Sequence, residues 1–383
     1  MQILNVNSSL GLKTGGGTAE RTFQMSRFLA QLENVHCTVL TLDIELDKAR
    51  IQALTPAKTA VLPCAWTRFY VPFGGWGMIQ RLVAQADIIH MVGHWSVLNA
   101  LVYLAARRLN KPYVVCPAGA LPIFGRSAIL KRLYNFLIGR SLIQNASAWI
   151  AVTQGELPQF ESYNIPASKV TVIPNGVNAA DFVAGSQDDF FKKENLPHAP
   201  FILFMGRLNP IKGPDLLLQA YMQARHLFPE FHLVFAGPDG GMLSSLKHMV
   251  QAAELSPYVH FIGYVEGSVK SSAYHSAALL AIPSRQEAMS IVAIEAGICG
   301  TPVLLTDQCG FSSICLIDPR LEVAASVDGL VKGLTDMLTH PELLRRIAPV
   351  WKNFVAQHYA WEAIAPQYLA LYQSIRLPQG GRV

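Results

Sequence analysis

The sequence predicts an α/β protein with two domains, each built on a parallel β-sheet with helices on both faces. The chain has 383 residues, more than a single hydrophobic core usually organises. It is 51% hydrophobic and 15% charged, so it can fill two large cores. Short apolar runs alternate with segments of helical periodicity in both halves, and this alternation is typical of parallel sheets covered on both sides.

The elements of the first half follow in a regular order. "MQILNVNSS" predicts a strand that leads into the glycine-rich turn "GLKTGGG", and "TAERTFQMSRFLAQLE" predicts the next helix. Further buried strands are predicted for "HCTVLTLD", "DIIHMVG", "PYVVCPAG", "AWIAVT" and "KVTVIPNG", with helices such as "VLNALVYLAARRLN" between them. We therefore place a first doubly wound domain at residues 1–182.

The second half repeats this organisation. The polar stretch from Asn178 to Pro200 has no steady period and predicts a linker or a short surface helix. The alternation restarts at "FILFMGR" and continues through "HLVFAGP", "VHFIGYV", "ALLAIPS" and "PVLLTD", which predicts a second doubly wound domain over residues 183–357. The tail up to residue 376 has mostly helical periodicity. Two such domains are expected to face a central cleft, where ligands usually bind.

Composition excludes several classes of protein. No apolar run is long enough to span a bilayer, and the first residues lack the basic start of a signal peptide. Six cysteines are scattered without C-x-x-C pairs, which indicates reduced thiols in a cytoplasmic protein and argues against disulfides or a zinc site. The formal net charge of +5 suits anionic partners such as nucleotides or a membrane surface, but it is too dispersed to indicate nucleic acid.

A run of three glycines follows the first predicted strand. Gly15, Gly16 and Gly17 could let backbone N–H groups approach a phosphate at a helix start, and we assign Gly16 and Gly17 to the ligand site. A plain tight turn explains the run equally well. The segment does not match G-x-G-x-x-G. Asp43 is a candidate for the acid that closes the second strand in nicotinamide-binding proteins, so that class is disfavoured but stays open.

The loop "GRLNPIKG" follows the first strand of the second half. Arg207 ends that strand, and Lys212 lies five residues later in a turn. Loops at the carboxyl ends of parallel strands line the ligand site, where a guanidinium and an ammonium can clamp a diphosphate. The alternative is that both are solvated basic residues in a surface turn. The acidic motif on the same sheet edge disfavours this alternative.

That acidic motif is "RQEAMSIVAIEAG", which carries Glu287 and Glu295 in a mostly apolar run. Glu287 falls in the predicted strand-to-helix turn, and Glu295 lies about one and a half turns inside the helix. Backbone N–H groups at Met289, Ser290 and Ile291 would crown the helix and receive a phosphate. Glu295 could then accept hydrogen bonds from a ribose diol, and Glu287 from hydroxyls beyond the phosphates. The alternative is that Glu287 only interacts with the helix dipole and that Glu295 is a structural acid. A buried carboxylate without a partner costs free energy, which disfavours this alternative.

Taken together, these motifs resemble the retaining nucleotide-sugar glycosyltransferases of family 4, which have the GT-B fold. The pattern Glu287-x7-Glu295 with "AGICGTPVLLTD" carries the resemblance, and "GGGTAER", "VIPNGVNAADF", "FMGRLNPIKG", "VFAGPDGG", "HFIGYV" and "YAWEAIAPQYLALY" match in order. The resemblance covers nearly the whole chain. It implies two Rossmann-like domains, with the terminal helix, residues 358–383, returning to the first one.

The resemblance also implies roles for individual residues. Glu295 would bind the donor ribose, Arg207 and Lys212 the diphosphate, and Glu287 the transferred sugar, while the segment at Tyr264 would flank the base. The donor would be a UDP-, GDP- or ADP-sugar. The configuration of the sugar would be retained, and no metal or other cofactor would be needed. Positive groups would stabilise the departing diphosphate, which is where charge develops.

One position departs from the family pattern. Relatives commonly have "HG" after the fifth strand of the first domain, with the histidine near the reacting sugar. Here the segment reads "VVCPAGAL", with Ala118 in that place. His94 in "HMVGHWS" could serve instead as a catalytic donor, or it could be a surface loop histidine. His90 fits better as a strand residue packed in the core.

The acceptor is expected to bind the first domain, and two segments there are candidates. "RFYVPFGGWGMIQR" is aromatic and glycine-rich, as a flexible acceptor loop could be. "SAILKRLYNFLIGR" places Leu130, Leu133, Tyr134 and Leu137 on one stripe with basic residues around it, which could dock on the anionic inner face of a membrane. An ordinary amphipathic helix of the domain fits the same pattern.

The favoured function is therefore transfer of a hexose to a glycan or lipid-linked acceptor in the synthesis of a cell-envelope polysaccharide, lipopolysaccharide or exopolysaccharide. A nucleotide-sugar epimerase is the enzymatic alternative, since it can share the fold. A subunit that binds a nucleotide-sugar without turnover is the other alternative, and Ala118 is the feature that favours it.

Overall fold

The structure is a computed structural model that describes residues 1–46, 48–123 and 127–376. The strands are β1 (Gln2–Val6), β2 (His36–Leu42), β3 (Lys58–Leu62), β4 (Cys64–Trp66), β5 (Val71–Pro72), β6 (Ile88–Val92), β7 (Tyr113–Cys116), β8 (Ala148–Ala151), β9 (Val170–Val172), β10 (Phe201–Met205), β11 (His232–Ala236), β12 (Val259–Gly263), β13 (Leu279–Ile282), β14 (Val303–Thr306) and β15 (Glu322–Val323).

The helices alternate with these strands along the chain. They are α1 (Leu12–Leu29), α2 (Lys48–Ala53), α3 (Trp76–Gln85), α4 (Val97–Arg108), α5 (Ala128–Tyr134), α6 (Arg140–Gln144), α7 (Leu157–Glu161), α8 (Gln187–Lys193), α9 (Pro214–Ala224), α10 (Leu243–Ala252), α11 (Gly267–Ser276), α12 (Ile291–Cys299), α13 (Val327–Leu338), α14 (Pro341–His358) and α15 (Trp361–Arg376). Over the described ranges, no helix combines the length and the apolar character that crossing a bilayer requires.

The chain forms two compact units, one of residues 1–176 with 361–383 and one of residues 177–360. The sequence placed these divisions at 182/183 and 357/358. Val177 and Ala360 form an isolated parallel bridge, and the Val177 N–H donates to the Tyr359 carbonyl at 2.7 Å. The bridge therefore joins the first and last residues of the second unit, where the chain enters and leaves it.

The first unit contains a parallel sheet in the order β3-β2-β1-β6-β7-β8-β9. The strand order reverses between β1 and β6, which makes the carboxyl ends of these two strands a topological switch point. Every residue of β6 and of β7 is buried, as expected for strands covered on both faces. The aromatic segment after β3 is not an open loop: it forms the β4–β5 hairpin and the start of α3.

The second unit contains a parallel sheet in the order β12-β11-β10-β13-β14-β15, with its switch point between β10 and β13. Its entry segment contains a short surface helix, which is one of the two alternatives that the sequence left open. Helix α8 buries Phe190 and Phe191, whose rings lie 6.1 Å and 6.0 Å from the ring of Phe201 at the start of β10. The period was hard to recognise because α8 is short and flanked by polar residues. Two parallel α/β units nevertheless confirm the predicted fold class.

The last helix, α15, belongs to the first unit. It buries Trp361, Tyr368 and Tyr372, and the Tyr372 hydroxyl lies 2.6 Å from Nδ1 of His90 in β6. The fully buried guanidinium of Arg21 in α1 hydrogen-bonds to the Tyr368 hydroxyl. The hydrogen bonds therefore join α1, β6 and α15, and the interpretation of His90 as a core residue is confirmed.

Candidate functional site

The turn after β10 has a backbone shape that its sequence dictates. Gly213, which precedes α9, has a φ of 66°, and a Cβ atom there would lie 2.1 Å from the Pro283 carbonyl oxygen. Any larger residue would therefore collide with the backbone that follows β13. Because the two loops approach so closely, residues of the β10 loop and the β13 loop can share one site.

Arg285 fastens the same two loops together. Its guanidinium forms a bidentate pair with Asp215 at 2.9 Å and 2.6 Å and donates to the Pro210 carbonyl at 2.7 Å. Burial alone would raise the pKa of Asp215, but the hydrogen bonds from Arg285 outweigh it, and the pKa lies below its ordinary value. Asp215 therefore stays ionised, and the turn that carries Lys212 is fixed by a charge-assisted contact.

Lys212 and Glu287 meet in the second unit, as their positions at the ends of β10 and β13 predicted. The Lys212 Nζ lies 2.8 Å from Glu287 Oε1, and the Glu287 side chain is 8% exposed. The Ser284 hydroxyl donates to the same carboxylate oxygen. One ammonium and one carboxylate are thus held close together at the carboxyl edge of the sheet, beside the start of α12.

The N-terminus of α12 forms the adjacent wall. Ser290 precedes the helix and is fully buried, and its hydroxyl has no hydrogen-bond partner among the described residues. The Ser290 N–H is not available, because it donates to the Cys309 carbonyl at 3.2 Å. Of the amides expected to be open at Met289, Ser290 and Ile291, this one is therefore excluded. The hydroxyl and the positive end of the helix remain suited to an anion.

Glu295 is held inside the same helix by two side chains of α11. Its Oε1 lies 2.6 Å from Lys270 Nζ, and its Oε2 accepts a hydrogen bond from the Tyr274 hydroxyl at 2.7 Å. Burial, and then the charge of Glu295, raise the pKa of Tyr274, so this hydroxyl stays protonated and donates. Each carboxylate oxygen can accept a further hydrogen bond, so these contacts do not use up the acceptor capacity that a ribose diol would need.

Two further predicted donor residues also follow strands of the second unit. Arg207 is exposed in the loop after β10, where the backbone of Leu208 pairs with that of the loop after β11. Tyr264 follows β12 and is half-buried. Their assignment to the donor site stays a prediction.

Gly16 and Gly17 lie within α1 of the first unit. Helix α1 begins at Leu12, before the glycine run, and Gly16 interrupts it with a φ of 53° and a ψ of −136°. A Cβ at Gly16 would meet no atom within 4 Å, so the positive φ, rather than crowding, favours glycine here. The glycine run therefore makes a sharp break in the helix instead of a simple turn before it.

His94 is not the open loop histidine that the sequence allowed. It is 1% exposed and lies among the rings of Trp95, Tyr134 and Tyr163. Its Nε2 is 2.9 Å from Oδ1 of Asn135, whose amide nitrogen donates to the Tyr163 hydroxyl. The amide orientation makes Nε2 the protonated nitrogen, and Nδ1 is buried without a partner among the described residues.

This arrangement changes what His94 can do. Burial lowers its pKa to about 4, against a partly compensating hydrogen bond to Asn135, so the ring is neutral at neutral pH. Its only N–H points to Asn135 in this tautomer. The expected role as a hydrogen-bond donor to the sugar therefore does not fit the geometry, whereas a role in positioning the loop after β6 does.

Ala118, where the family resemblance led us to expect histidine, lies just beyond the end of β7. It has a φ of 50°, and Gly119 follows with a φ of 81°. A left-handed conformation is unfavourable for most side chains but is tolerated comparatively well by histidine. The backbone thus keeps a shape that suits histidine although alanine occupies it.

Sequence analysis missed the residues that support the two glutamates. Lys270 and Tyr274 lie four residues apart on α11 and face α12, and Ser284 lies three residues before Glu287. The i,i+4 spacing of Lys270 and Tyr274 was visible in the sequence. Their pairing with Glu295 was not, because it depends on how α11 and α12 pack.

Comparisons with known proteins agree with this architecture. The family model of glycosyl transferases group 1 matches residues 186–351, and that of Glycosyltransferase Family 4 matches residues 15–181. A D-inositol 3-phosphate glycosyltransferase of Jonesia denitrificans is 28% identical over 325 residues, which are 76% of this chain and 72% of the relative. A lipopolysaccharide 1,2-N-acetylglucosaminetransferase of Salmonella typhimurium is 30% identical over 232 residues, covering 58% and 61%.

A solved structure extends the likeness in fold to the whole chain. Anabaena Alr3699/HepE in complex with UDP-glucose is similar with a TM-score of 0.75 at 19% sequence identity, over 98% of this chain and all of that one. At this identity the likeness concerns the fold alone.

Proposed function

Since the chain belongs to the group 1 glycosyltransferases of family 4, which have the GT-B fold, we propose that it transfers a hexose from a nucleotide-diphospho-sugar to a glycan or lipid-linked acceptor, with retention of configuration. A UDP-, GDP- or ADP-sugar is the donor, and no metal ion takes part. The product belongs to a cell-envelope polysaccharide, in keeping with the lipopolysaccharide transferase among the relatives. The reaction takes place in the cytoplasm.

The observation that carries this proposal is the pair of Lys212 and Glu287 beside the start of α12, at the carboxyl edge of the second sheet. The Lys212 ammonium and the N-terminus of α12 supply positive potential, and the Ser290 hydroxyl, which has no partner in the described part of the chain, supplies a hydrogen-bond donor. Glu287 and Glu295 supply acceptors on either side for hydroxyl groups. A phosphate flanked by two hydroxyl-rich groups is the chemistry of a nucleotide-sugar.

In the proposed reaction, the bond between the anomeric carbon and the diphosphate oxygen breaks, and the nucleoside diphosphate leaves. An acceptor hydroxyl forms the new glycosidic bond on the same face of the sugar and passes its proton to the departing phosphate. Lys212 and Arg207 stabilise the negative charge that the phosphate gains, which lowers the barrier more than it strengthens ground-state binding. Glu287 holds hydroxyls of the transferred hexose.

The test combines a donor screen with an acceptor screen. Thermal shift with UDP, GDP, ADP and their sugars identifies the base, because a ligand at 100 times its Kd adds about 2.7 kcal/mol of stability. UDP-glucose comes first, since a fold neighbour was solved with it. The purified protein is then incubated with the donor and with lipid-extracted and glycan acceptors.

Each outcome of that screen has a definite meaning. Formation of a new glycoside whose anomeric configuration matches the donor supports the proposal. Conversion of the donor sugar without acceptor would instead identify an epimerase. Tight donor binding without turnover on any acceptor would identify a binding subunit.

The proposal includes contact with an anionic membrane through one face of the first unit. A run of exposed apolar side chains extends from α5 into the π-helical turn Asn135–Gly139: Ile129 78%, Leu130 45%, Leu133 49%, Phe136 84% and Leu137 67% exposed. Lys131, Arg132 and Arg140 flank it, and residues 127–145 contain no acidic side chain. Apolar anchors beside cations match the surface of an anionic bilayer.

Co-sedimentation with vesicles tests this contact. Binding is expected to vesicles that contain phosphatidylglycerol, to be weaker with pure phosphatidylcholine, and to fall with Phe136→Ser. Leu316→Ser is the matched control, because Leu316 is 83% exposed on the second unit. Equal loss in both variants, or no vesicle binding by the unmodified protein, would refute the membrane contact.

A further inference from the structure

A cavity of about 490 Å³ lies in the first unit between the segment after β4, the start of α4 and helix α5. Its size is in the usual range for sites that bind small molecules. Arg68, Trp95 and Lys131 are among the residues that line it, and none of its described lining residues is acidic. The donor site described above uses no residue of this cavity.

Arg68 brings a guanidinium with most of its donors uncommitted. Its one hydrogen bond within the described part of the chain goes to the Ser127 hydroxyl at 2.8 Å, and its guanidinium carbon lies 5.5 Å from the centre of the Phe69 ring. A guanidinium has five N–H donors. The remaining donors can form a bidentate contact with a phosphate or carboxylate.

Lys131 adds a second cation to the lining of the cavity. Its ammonium lies 5.4 Å from the centre of the Trp95 ring. The indole therefore contacts the cation and also lines the cavity, so that it presents both an apolar surface and a nearby positive charge. Such a combination suits a ring compound that bears an anionic group.

The N-terminus of α4 contributes further positive potential. Ser96 caps this helix of 12 residues by accepting a hydrogen bond from the Asn99 N–H, and its hydroxyl lies 2.6 Å from that of Ser8. Ser96 and Val97 line the cavity, so the helix begins at its wall. The positive end of a helix favours a bound anion.

The wall itself is rigidly supported. The Tyr134 hydroxyl donates to the carbonyls of His94 and Ser96 at 2.9 Å and 3.2 Å, which fixes α5 against the loop after β6. His94 packs against the Trp95 indole and hydrogen-bonds to Asn135, so it supports the position of the indole. The buried hydrogen-bond network around His94 therefore has a use: it positions the aromatic wall of the cavity.

We propose that this cavity is the acceptor subsite and that it selects an acceptor bearing a phosphate or carboxylate beside the sugar ring that is glycosylated. The inference rests on the proposed glycosyltransferase function and narrows its acceptor to the anionic class. Arg68 and Lys131 bind the anionic group, and Trp95 packs against the ring. The same anionic group can come from a free sugar phosphate or from the phosphate of a lipid carrier.

Binding of small probes tests the subsite without any requirement for turnover. Calorimetric titrations compare D-glucose 1-phosphate and D-glucuronate with neutral D-glucose, all in a Lys212→Ala background that weakens the diphosphate clamp in the other unit. The anionic sugars are expected to bind at least tenfold more tightly than glucose. Arg68→Gln and Lys131→Gln should each reduce that preference about tenfold, as expected when a charge-assisted contact is lost.

Neighbouring positions supply matched controls. Arg132→Gln removes the adjacent charge of α5, which does not line the cavity, and should leave the preference intact. Lys131→Arg should restore binding, which separates loss of charge from misfolding. Equal binding of charged and neutral sugars, or a preference that survives in both Arg68→Gln and Lys131→Gln, would overturn the proposal even if the protein is a transferase.

The transfer assay then distinguishes the two sources of the anion. With Lys131→Gln, the acceptor KM should rise about tenfold while kcat changes little, for whichever acceptor is used. Activity on a free sugar phosphate identifies a free acceptor, and activity only on a lipid-linked phosphate identifies the carrier. An unchanged KM for both acceptors would contradict the subsite.

Discussion

The two units handle buried charge in opposite ways. In the first unit, the carboxyl group of Glu156 is 2% exposed, accepts a hydrogen bond from the Val152 N–H at 2.7 Å and has no ammonium partner within the described residues. Burial raises its pKa. In the second unit, Glu287 and Glu295 each lie within 2.8 Å of a lysine ammonium. The second unit thus pairs its buried carboxylates directly with lysines, whereas Glu156 of the first unit is held by a backbone N–H.

The buried histidines and Arg21 of the first unit also have neutral contact partners, although the pKa of Arg21 is raised and its guanidinium stays charged. Burial lowers the pKa of His90 to about 3, with a further contribution from Arg21, and that of His94 to about 4. Arg21 is bound by neutral groups, namely Asn175, the Ile173 carbonyl and Tyr368. The difference teaches that the first unit surrounds its buried ionisable groups with neutral partners, whereas the second holds its buried carboxylates in ion pairs that an incoming anion can rearrange.

The largest effect is expected from removing either cation of the proposed diphosphate site in the second unit. Lys212→Ala and Arg207→Ala should each lower the transfer rate by about 10²- to 10³-fold, because each removes a cation from the departing diphosphate. Affinity for the free nucleoside should change little. Steady-state kinetics and nucleoside titrations measure both, with Lys247→Ala on the exposed face of α10 as the control. Equal losses in nucleoside affinity and in rate would disprove the clamp.

Mild acid should weaken the first unit more than the second. A buried neutral histidine whose folded pKa lies below the unfolded value of about 6.5 stabilises the fold fully above pH 6.5. That stability is lost as the pH falls from 6.5 towards the folded pKa of about 4 for His94 and about 3 for His90. Between pH 6.5 and 5, the two histidines together should cost roughly 3 kcal/mol.

Hydrogen exchange of β6 and β10, corrected for the intrinsic rate at each pH, compares the two units directly. The amides of β6 should lose protection first on acidification. His94→Gln should flatten the pH dependence of the first unit, whereas His36→Gln, at an exposed position of β2, should not. Parallel loss of protection in both units, or an unchanged slope in His94→Gln, would contradict the assignment of acid sensitivity to the buried histidines.

Much of this comparison was visible in the sequence, and the reason differs between the units. Glu287, Lys212 and Glu295 could be placed because each stands at a fixed distance from a recognisable apolar strand, and strand ends meet at one edge of a parallel sheet. The partners of Glu295 could not, because Lys270 lies on a helix whose packing angle no local pattern encodes.

The burial of His94 was equally hidden. It follows β6 by two residues, as an open loop residue would, and only the packing of Tyr134 and Tyr163 from distant segments encloses it. The same holds for α8, whose two phenylalanines contact β10. Period and strand order were thus predictable, whereas side-chain enclosure by later segments was not.

A moderate effect is expected from Glu295. Glu295→Gln keeps the shape but removes the charge that would accept hydrogen bonds from the ribose, so donor affinity should fall by roughly 1.5–3 kcal/mol. Isothermal titration with the identified donor measures the change. Tyr274→Phe is the control, because it removes one supporting hydrogen bond and keeps the carboxylate. Unchanged donor affinity in Glu295→Gln, with a normal Tm, would remove Glu295 from the site.

The smallest effect concerns Ala118 of the first unit. A left-handed φ of 50° costs an alanine about 1 kcal/mol relative to a relaxed backbone, and glycine adopts it freely. Ala118→Gly should therefore stabilise the first unit by up to about 1 kcal/mol, although glycine also gains entropy in the unfolded chain. Ala120→Gly, two residues later and outside the positive-φ set, should destabilise it by a similar amount. Urea unfolding of the two variants measures the difference.

The transfer rate of Ala118→Gly shows whether the backbone strain at this position contributes to activity. Backbone strain persists where the surrounding structure determines it, and it is often found at functional sites. A stabilised variant with a normal rate would show that the strain only preserves a backbone shape suited to histidine. A stabilised variant with a slower rate would show that the alanine methyl holds the loop after β7 in a working position. A destabilised variant would contradict the strain itself, and the left-handed conformation at Ala118 would then cost less than the entropy that glycine adds to the unfolded chain.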